Sequence, residues 1–433
     1  MHNIKVCIVG MGYVGLTLSV IMAEKGFYIT GIEVNAEICD ELNKRIPHFH
    51  EKRVDVLLKK HLNNKLIVQK YMPQEHHDVF IICVGTPINK LNKTPVLDYV
   101  IRASEEVSKH INNGDIVILR STVPVGTTRN VVKPILDKSG KKYMLAFCPE
   151  RTAEGNAVKE LLELPQIVGG IDEQSVDKAS YIFRKIISTI IEVSSVESAE
   201  MIKLLNNSYR DLNFAFANEV ALMCEALKLD AVETIRAANL GYPRSNIPIP
   251  GFVGGACLEK DPYILAHISK ENSYTSKLIL AGRSVNEALP NYVVNKVKEK
   301  ILNIGKKIQE SKIFIMGFGF KGDPETDDMR GSLTLELVKY FNEFGCTKIY
   351  GHDFVVRESE LKKEGVIPLS IEDGFKNADC IIFANNHHGY SSLDIEKLIA
   401  SLNKPAIFID IWYLFKPNEI KRDGIIYGGL GVD

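Results

Sequence analysis

The segment Val253-Gly254-Gly255-Ala256-Cys257-Leu258-Glu259-Lys260-Asp261 places a thiol in a glycine turn, with an ammonium three residues on and a carboxylate four residues on. Such a set can supply nucleophile, cation and base to an acyl transfer, because a thiolate attacks carbonyl carbon and nearby N–H groups or cations favour the thiolate. The alternative reading of Cys257 is an inert structural thiol. The other cysteines (Cys7, Cys39, Cys83, Cys148, Cys224, Cys346, Cys380) are widely separated, with no C-x-x-C pair. They read as small core hydrophobes rather than zinc ligands or a disulfide framework, so no metal is expected and a reducing cytoplasm fits best.

Further candidates lie upstream. Lys203 and Asn207 are four residues apart in a stretch free of glycine and proline, so they share one face of a helix, where an ammonium beside an amide can stabilise an oxyanion. Pro149-Glu150-Arg151 ends an apolar run, and Glu150 there can position or deprotonate a water. Thr122-Val123-Pro124-Val125-Gly126-Thr127-Thr128 follows another such run and offers hydroxyl and N–H groups to a cofactor or a reacting carbon.

The elements that must hold these groups are legible in outline. Ile4–Val9 reads as a strand, Gly10-Met11-Gly12-Tyr13-Val14-Gly15 as a turn, and the residues to about Lys25 as a helix. A second strand over Tyr28–Val34 brings in Glu33. Glycines that admit a pyrophosphate, a helix N-terminus facing it and a carboxylate for the ribose hydroxyls make a dinucleotide site; Glu33 repels a 2′-phosphate, which favours NAD over NADP. Further strands are expected near Val79–Val84, Asp115–Arg120, Tyr143–Phe147 and Gln166–Val168. Val196–Asp230 reads as one long helix, Gly241–Gly255 as loop, and Pro262 to about Ile304 as helical again.

At Ile313 the opening pattern returns, with a strand over Lys312–Met316, the loop Gly317-Phe318-Gly319-Phe320-Lys321-Gly322, and a strand over Lys348–Tyr350 ahead of Asp353. The acidic run Asp323–Asp328 and its proline disturb the helix start a dinucleotide needs. A nucleoside diphosphate contacted by Lys321 and Arg330 is therefore expected here, against the alternative of surface charges on a capped helix. The fold class that follows is α/β: two Rossmann-like, doubly wound parallel-sheet domains (1–195 and 306–433) joined by an all-α middle domain with a long helix (196–305).

Composition excludes several classes. The 433 residues are 45% hydrophobic and 25% charged with a net charge of −1, and no basic block or aromatic-interleaved stripe suits nucleic acid. Val6–Ala23 carries no charge and resembles a signal peptide or short span, but its three glycines at dinucleotide-loop spacing argue against a membrane segment.

Taken in order, Gly10-x-Gly12-x-x-Gly15, Gly85-Thr86-Pro87, Ser121-Thr122-Val123, Pro149-Glu150-Arg151, Lys203 with Asn207, Gly254-Gly255-x-Cys257-x-x-Lys260-Asp261, and Phe320-Lys321-Gly322 with Asp327-Asp328-Met329-Arg330 resemble the UDP-glucose/GDP-mannose dehydrogenase family over almost the whole chain. The resemblance implies a four-electron oxidation of a nucleotide sugar at C6 with two NAD per turnover. It implies Cys257 as nucleophile, Lys203 and Asn207 on the oxyanion, and Asp261, Glu150 and Thr122 serving the hydrolytic water. Cofactor contacts are implied for Gly10, Gly12, Tyr13, Val14, Gly15, Glu33, Gly85, Thr86, Thr122 and Lys260. Substrate contacts are implied for Arg151, Lys203, Asn207, Arg244, Phe252, Gly254, Arg283, Lys321 and Arg330. Gly155 and the Val253-Gly254-Gly255 run are more similar to oxidisers of UDP-N-acetylhexosamines, UDP-N-acetylmannosamine among them, than of UDP-glucose. The family further implies a homodimer through the middle helices, and a product for surface polysaccharide. The alternatives are a UDP-glucose 6-dehydrogenase, a two-electron hydroxyacid or hydroxyacyl dehydrogenase with a structural Cys257, and a non-catalytic nucleotide sensor.

Overall fold

The computed structural model describes residues 4–422 and 424–432. The chain divides into two compact units, Met1–Asn207 with Tyr263–Thr275, and Ser208–Pro262 with Ser276–Asp433.

In the first unit, alternation along short apolar runs decides the layers. Val6 and Ile8 enter the core on one face of the sheet, Cys7 and Val9 the core on the other. Both faces are buried, as a parallel sheet requires. The strands are β1 (Lys5–Val9), β2 (Tyr28–Ile32), β3 (Leu66–Gln69), β4 (Val79–Ile82), β5 (Ile116–Leu119), β6 (Met144–Phe147), β7 (Gln166–Gly170) and β8 (Ile190–Val193). Their spatial order is β3-β2-β1-β4-β5-β6-β7-β8, parallel throughout except for β6 against β7. Six strands match the sequence expectation. The edge strands β3 and β8 escaped it because each is half exposed and lacks a buried apolar run.

The second unit repeats the plan with β9 (Ile313–Met316), β10 (Ile349–His352), β11 (Ile367–Pro368), β12 (Cys380–Phe383), β13 (Ala406–Asp410) and β14 (Ile425–Gly429), all parallel in the order β11-β10-β9-β12-β13-β14. Ile313 and Ile315 face one core, Phe314 and Met316 the other. In both sheets the chain reverses direction of winding beside the first strand, so ligand-binding loops gather at the strands' carboxyl ends there.

The middle region is helical: Val196–Ala226, Ala231–Asn239, Asp261–Glu271 and Lys277–Asn303. The expected single helix to Asp230 stops at Ala226. Lys228 adopts φ +57°, and the Asp230 side chain accepts from the Glu233 N–H at 2.9 Å as the cap of the next helix. Within the second unit, Ala221, Val293 and Val297 share one core with Ile313 and Ile315. Among the described residues, no helix is long and apolar enough to cross a membrane; the uncharged Val6–Ala23 stretch is β1 followed by the helix Tyr13–Glu24.

Candidate active site

Apart from Lys203 and Asn207 on their helix, the motifs of the first unit fall just beyond the carboxyl ends of parallel strands. Gly10 follows β1, Glu33 follows β2, Gly85 and Thr86 follow β4, Thr122 follows β5 and Glu150 follows β6. Gly10 has φ +94°, and a Cβ on Gly15 would lie 1.8 Å from the Gly10 carbonyl oxygen, so both glycines are dictated by the close turn of strand into helix. A Cβ on Gly12 would meet nothing within 4 Å, and no side chain caps the helix that starts at Tyr13. The helix N-terminus therefore presents free N–H groups to open space, which suits a pyrophosphate. Glu33 accepts from the Met11 N–H at 3.1 Å and the Asn35 N–H at 2.9 Å. Since a carboxylate has about four acceptor positions, capacity remains for ribose hydroxyls. Thr86 donates its hydroxyl to the Thr122 carbonyl, joining two of these loops. The Tyr13 hydroxyl is held by Glu51 and receives the Gly155 N–H at 3.2 Å.

Glu150 is buried and accepts from three donors, which leaves it one of about four acceptor positions. Its Oε2 meets Arg120 at 2.5 Å, and its Oε1 accepts from the N–H groups of Arg151 at 2.7 Å and Thr152 at 2.8 Å. Burial alone would raise its pKa, but the Arg120 guanidinium, the Thr152 N–H and the charge of Lys203 together hold it below the usual glutamate range. Glu150 is thus a fixed carboxylate that can orient a water, and its low basicity argues against a general base. Arg151 is half-buried, its guanidinium on the Pro165 carbonyl. Lys203 and Asn207 are both buried on one face of the Val196–Ala226 helix.

In the second unit, all eight cysteines being free, Cys257 is the exposed thiol while Cys224, Cys346 and Cys380 are buried, as are the four of the first unit. Burial pushes Cys7, Cys83 and Cys148 up to about 12, which rules those thiols out as nucleophiles near neutrality. The Cys257 loop is locked from two sides. Gly255, at φ +93°, lies under the Phe320 ring, and its N–H donates to the Gly331 carbonyl at 3.0 Å. A Cβ on Gly254 would sit 2.0 Å from that same oxygen. The thiol loop and the Lys321–Arg330 loop are therefore one packed structure. Lys260 donates to Asp261 at 2.6 Å. Burial would lower the Lys260 pKa, but the charges of Asp261 and Cys257 outweigh it and hold the ammonium above its ordinary value.

The Gly317 loop differs from the Gly10 loop in two ways that matter for a ligand. Asp353, its counterpart of Glu33, accepts four backbone N–H groups, from Phe318 and Gly319 and from Val355 and Val356. No acceptor capacity is left for a ribose. The next helix starts only at Leu333, well past the loop, and its first turn returns to it through the Thr334 hydroxyl, which donates to the Gly317 carbonyl at 2.8 Å. Lys321 lies 5.5 Å from the centre of the Phe320 ring, and Arg330 is exposed in a bidentate pair with Asp328. Phe252 is buried, whereas Arg244 is exposed and stacks on Tyr242. Arg283, expected at the substrate, is only 1% exposed and its guanidinium meets Asp211 at 2.6 Å.

Comparison with known proteins agrees over the whole length. Residues 4–187 match the NAD binding domain of the UDP-glucose/GDP-mannose dehydrogenase family, 197–288 its central domain and 314–417 its UDP binding domain. The chain belongs to the UDP-glucose/GDP-mannose dehydrogenase family. It is 34% identical to a UDP-N-acetyl-D-mannosamine dehydrogenase of Methanocaldococcus jannaschii, covering 99% of this chain and 96% of the relative. It is 32% identical to one of Campylobacter jejuni, covering 92% and 98%. The solved UDP-D-ManNAc dehydrogenase of Pyrococcus horikoshii superposes with a TM-score of 0.89 at 31% identity, with 99% of each chain covered. As a member of this family the enzyme is an NAD-dependent nucleotide-sugar dehydrogenase, and the open Gly12 turn fits that cofactor.

Several residues of this dehydrogenase's framework were not apparent from its motifs. Arg120 and Gln166 fix Glu150: Arg120 reaches both Glu150 and Gln166, and Gln166 donates to the Pro149 carbonyl at 3.1 Å. Glu51 gathers Tyr13, Gly155 and Ala157, binding the cofactor loop to the loop after Glu150. Asn386 accepts from Gly322 and Asp323 in the second unit. A usable signal existed for Arg120 alone, since the residues that end two adjacent parallel strands are neighbours, as Arg120 and Cys148 are.

Proposed function

We propose that this dehydrogenase oxidises the C6 alcohol of a UDP-N-acetylhexosamine, UDP-N-acetyl-D-mannosamine first, to the uronate through an acyl group carried on Cys257. Bound NAD supplies the hydride acceptor for each of two oxidation steps. In the first, the C6 alcohol loses a hydride and a proton and becomes an aldehyde. Cys257 adds to that aldehyde, its sulfur bonding to C6, and gives a thiohemiacetal. The thiohemiacetal then loses its hydroxyl proton together with a second hydride from C6 and gives a thioester, and water breaks the C–S bond to release the carboxylate and the thiol. Lys203 and Asn207 donate to the oxygen on C6 as it gains charge. Thr122 and the ionised Glu150 orient the hydrolytic water, and Asp261 receives its proton while holding Lys260. Aldehyde is never released, because the sulfur holds the carbon between the two steps.

The observation that carries this reading is the single exposed thiol in a loop clamped against Phe320 and Gly331. The acetamido assignment is supported by the relatives' names and by the Gly254-Gly255 run. A panel of UDP-glucose, UDP-N-acetylglucosamine, UDP-N-acetylmannosamine, UDP-N-acetylgalactosamine and GDP-mannose, followed by NADH absorbance, tests it. Two NADH per UDP-N-acetylmannosamine are expected, and Cys257→Ser stalls after the first oxidation. Preference for UDP-glucose refutes the sugar assignment, and full turnover by Cys257→Ala refutes the covalent step.

We also propose that the chain is organised as domains 1–195, 196–305 and 306–433, that the middle one forms the interface of a homodimer, and that the enzyme works in the cytoplasm for surface-polysaccharide synthesis. Leu205, Tyr209, Phe216 and Met223 expose 46%, 66%, 52% and 51% of their surface at helical spacing along Val196–Ala226. An exposed apolar stripe of this kind favours a partner helix. Phe216→Glu is expected to halve the mass seen in sedimentation; an unchanged mass rejects this interface.

A further inference from the structure

Among the buried acids that the mechanism leaves unused, Glu200 lies nearest in sequence to Lys203. Glu200 is 0% exposed and lies on the same helix as Lys203 and Asn207, three and seven residues before them, so all three share a face. Its carboxyl gathers the turn that follows β5. Oε2 accepts from the Gly126 N–H at 2.5 Å, and Oε1 accepts from the Thr128 N–H at 2.8 Å and the Thr128 hydroxyl at 2.6 Å. Gly126 has φ +94°, which a side chain would rarely adopt. The other end of the turn is tied by the Thr86 hydroxyl to the Thr122 carbonyl, and the Thr127 hydroxyl closes the turn on itself at the Pro124 carbonyl. A second link between the same two elements, the Arg129–Glu197 pair, is solvent-exposed, and such pairs contribute little. Val123 and Val132 share an apolar core with Val196 and Ala199, and among the polar links the turn is held to the helix chiefly at Glu200.

We propose that Glu200 is a positioning residue that clamps the Thr122–Thr128 turn to the helix bearing Lys203 and Asn207, keeping Thr122 and Lys203 at one fixed spacing. This rests on the reading above in which both residues serve the reacting carbon. Burying an acid to hold two loop N–H groups has no benefit for the helix itself, whose own bonds lie elsewhere. What it fixes is the relation between a turn and a helix that reach the site separately. A displacement of about 1 Å in such a relation can cost roughly 100-fold in rate without changing which groups are present.

The test has a structural and a kinetic arm. Amide hydrogen exchange of the intact enzyme is expected to show protected Gly126 and Thr128 N–H groups that lose protection in Glu200→Ala, with the Lys203 amide unchanged. Unchanged protection at Gly126 and Thr128 overturns the clamp. This arm needs no activity, so it stands apart from any failure of the proposed reaction, which would show as no NADH from any UDP-hexose in the wild type. In the kinetic arm, Glu200→Ala lowers kcat by roughly 10- to 100-fold, with KM for the UDP-sugar changed much less. In a Lys203→Met background the same change has less than about a threefold further effect, because the two act as a unit. Multiplicative losses, or a kcat that is normal per folded molecule, overturn the proposal. Should Glu200→Ala fail to fold, Glu200→Gln keeps the volume and one acceptor, and the same cycle and exchange comparison are read on it.

Discussion

Replacing Gly254 by alanine isolates the contact that fixes the thiol loop. The new Cβ would lie 2.0 Å from the Gly331 carbonyl oxygen and 3.2 Å from its carbon, where ordinary contact begins at 3.4 Å. Both partners are backbone, so no side chain can swing aside, and the two segments must part by about 1.4 Å. The same carbonyl accepts the Gly255 N–H at 3.0 Å, a bond that the separation would stretch beyond use. Overpacking of this kind costs roughly 1–3 kcal/mol, and each kcal/mol lowers the Tm of a unit of this size by roughly 2–4 °C. Its effect on catalysis is expected to exceed its effect on stability, since a thiol displaced by about 1 Å from its target loses on the order of 100-fold in kcat. NADH absorbance at saturating UDP-N-acetylmannosamine gives kcat, calorimetry gives Tm, and a chromogenic disulfide reports that Cys257 remains reactive to solvent. A kcat within about twofold of wild type, with the expected drop in Tm, would refute the claim that this contact sets the catalytic position of the thiol.

Two further outcomes follow from buried charge. Arg120→Met leaves Glu150 buried without its cation, so the enzyme should lose roughly 3–5 kcal/mol in denaturant unfolding, and the acid limb of the kcat profile should move to higher pH; a loss under about 1 kcal/mol counts against the pair's role. Burial raises Glu200 to about 7 and Asp410 to about 6, above their ordinary values of 4.5 and 3.8. Acids raised in the folded state favour folding while protonated, so their contribution is whole below about pH 4 and is lost as pH rises through 6 to 7. Unfolding free energy should fall by a few kcal/mol over that window, and Asp410→Asn should flatten part of the slope; a slope identical in Asp410→Asn excludes Asp410 as its source.

Much of this enzyme is local and so was legible in the chain. Strand, glycine turn and helix at residues 4–25 are set by apolar runs and by φ values only glycine adopts readily, and the same grammar at 313–322 announced a second sheet. The unlike ligand preferences of the two loops were also partly readable, because Pro324 and its acidic neighbours delay the next helix to Leu333. Edge strands β3 and β8 were hidden because an edge needs no continuous apolar run.

What tertiary structure alone decided is which distant groups meet. Glu150 is a carboxylate held low rather than a base because β5 and β6 are neighbours, which brings Arg120 across 30 residues to it. The family resemblance implies Arg283 at the substrate, while packing of the Lys277–Asn303 helix on the Val196–Ala226 helix sets its guanidinium on Asp211, 72 residues away. Sequence spacing fixes which side chains share a strand end or a helix face, since those distances are set by bond geometry. The partners that tune their charge come from strand order and helix packing, which only the buried core as a whole determines.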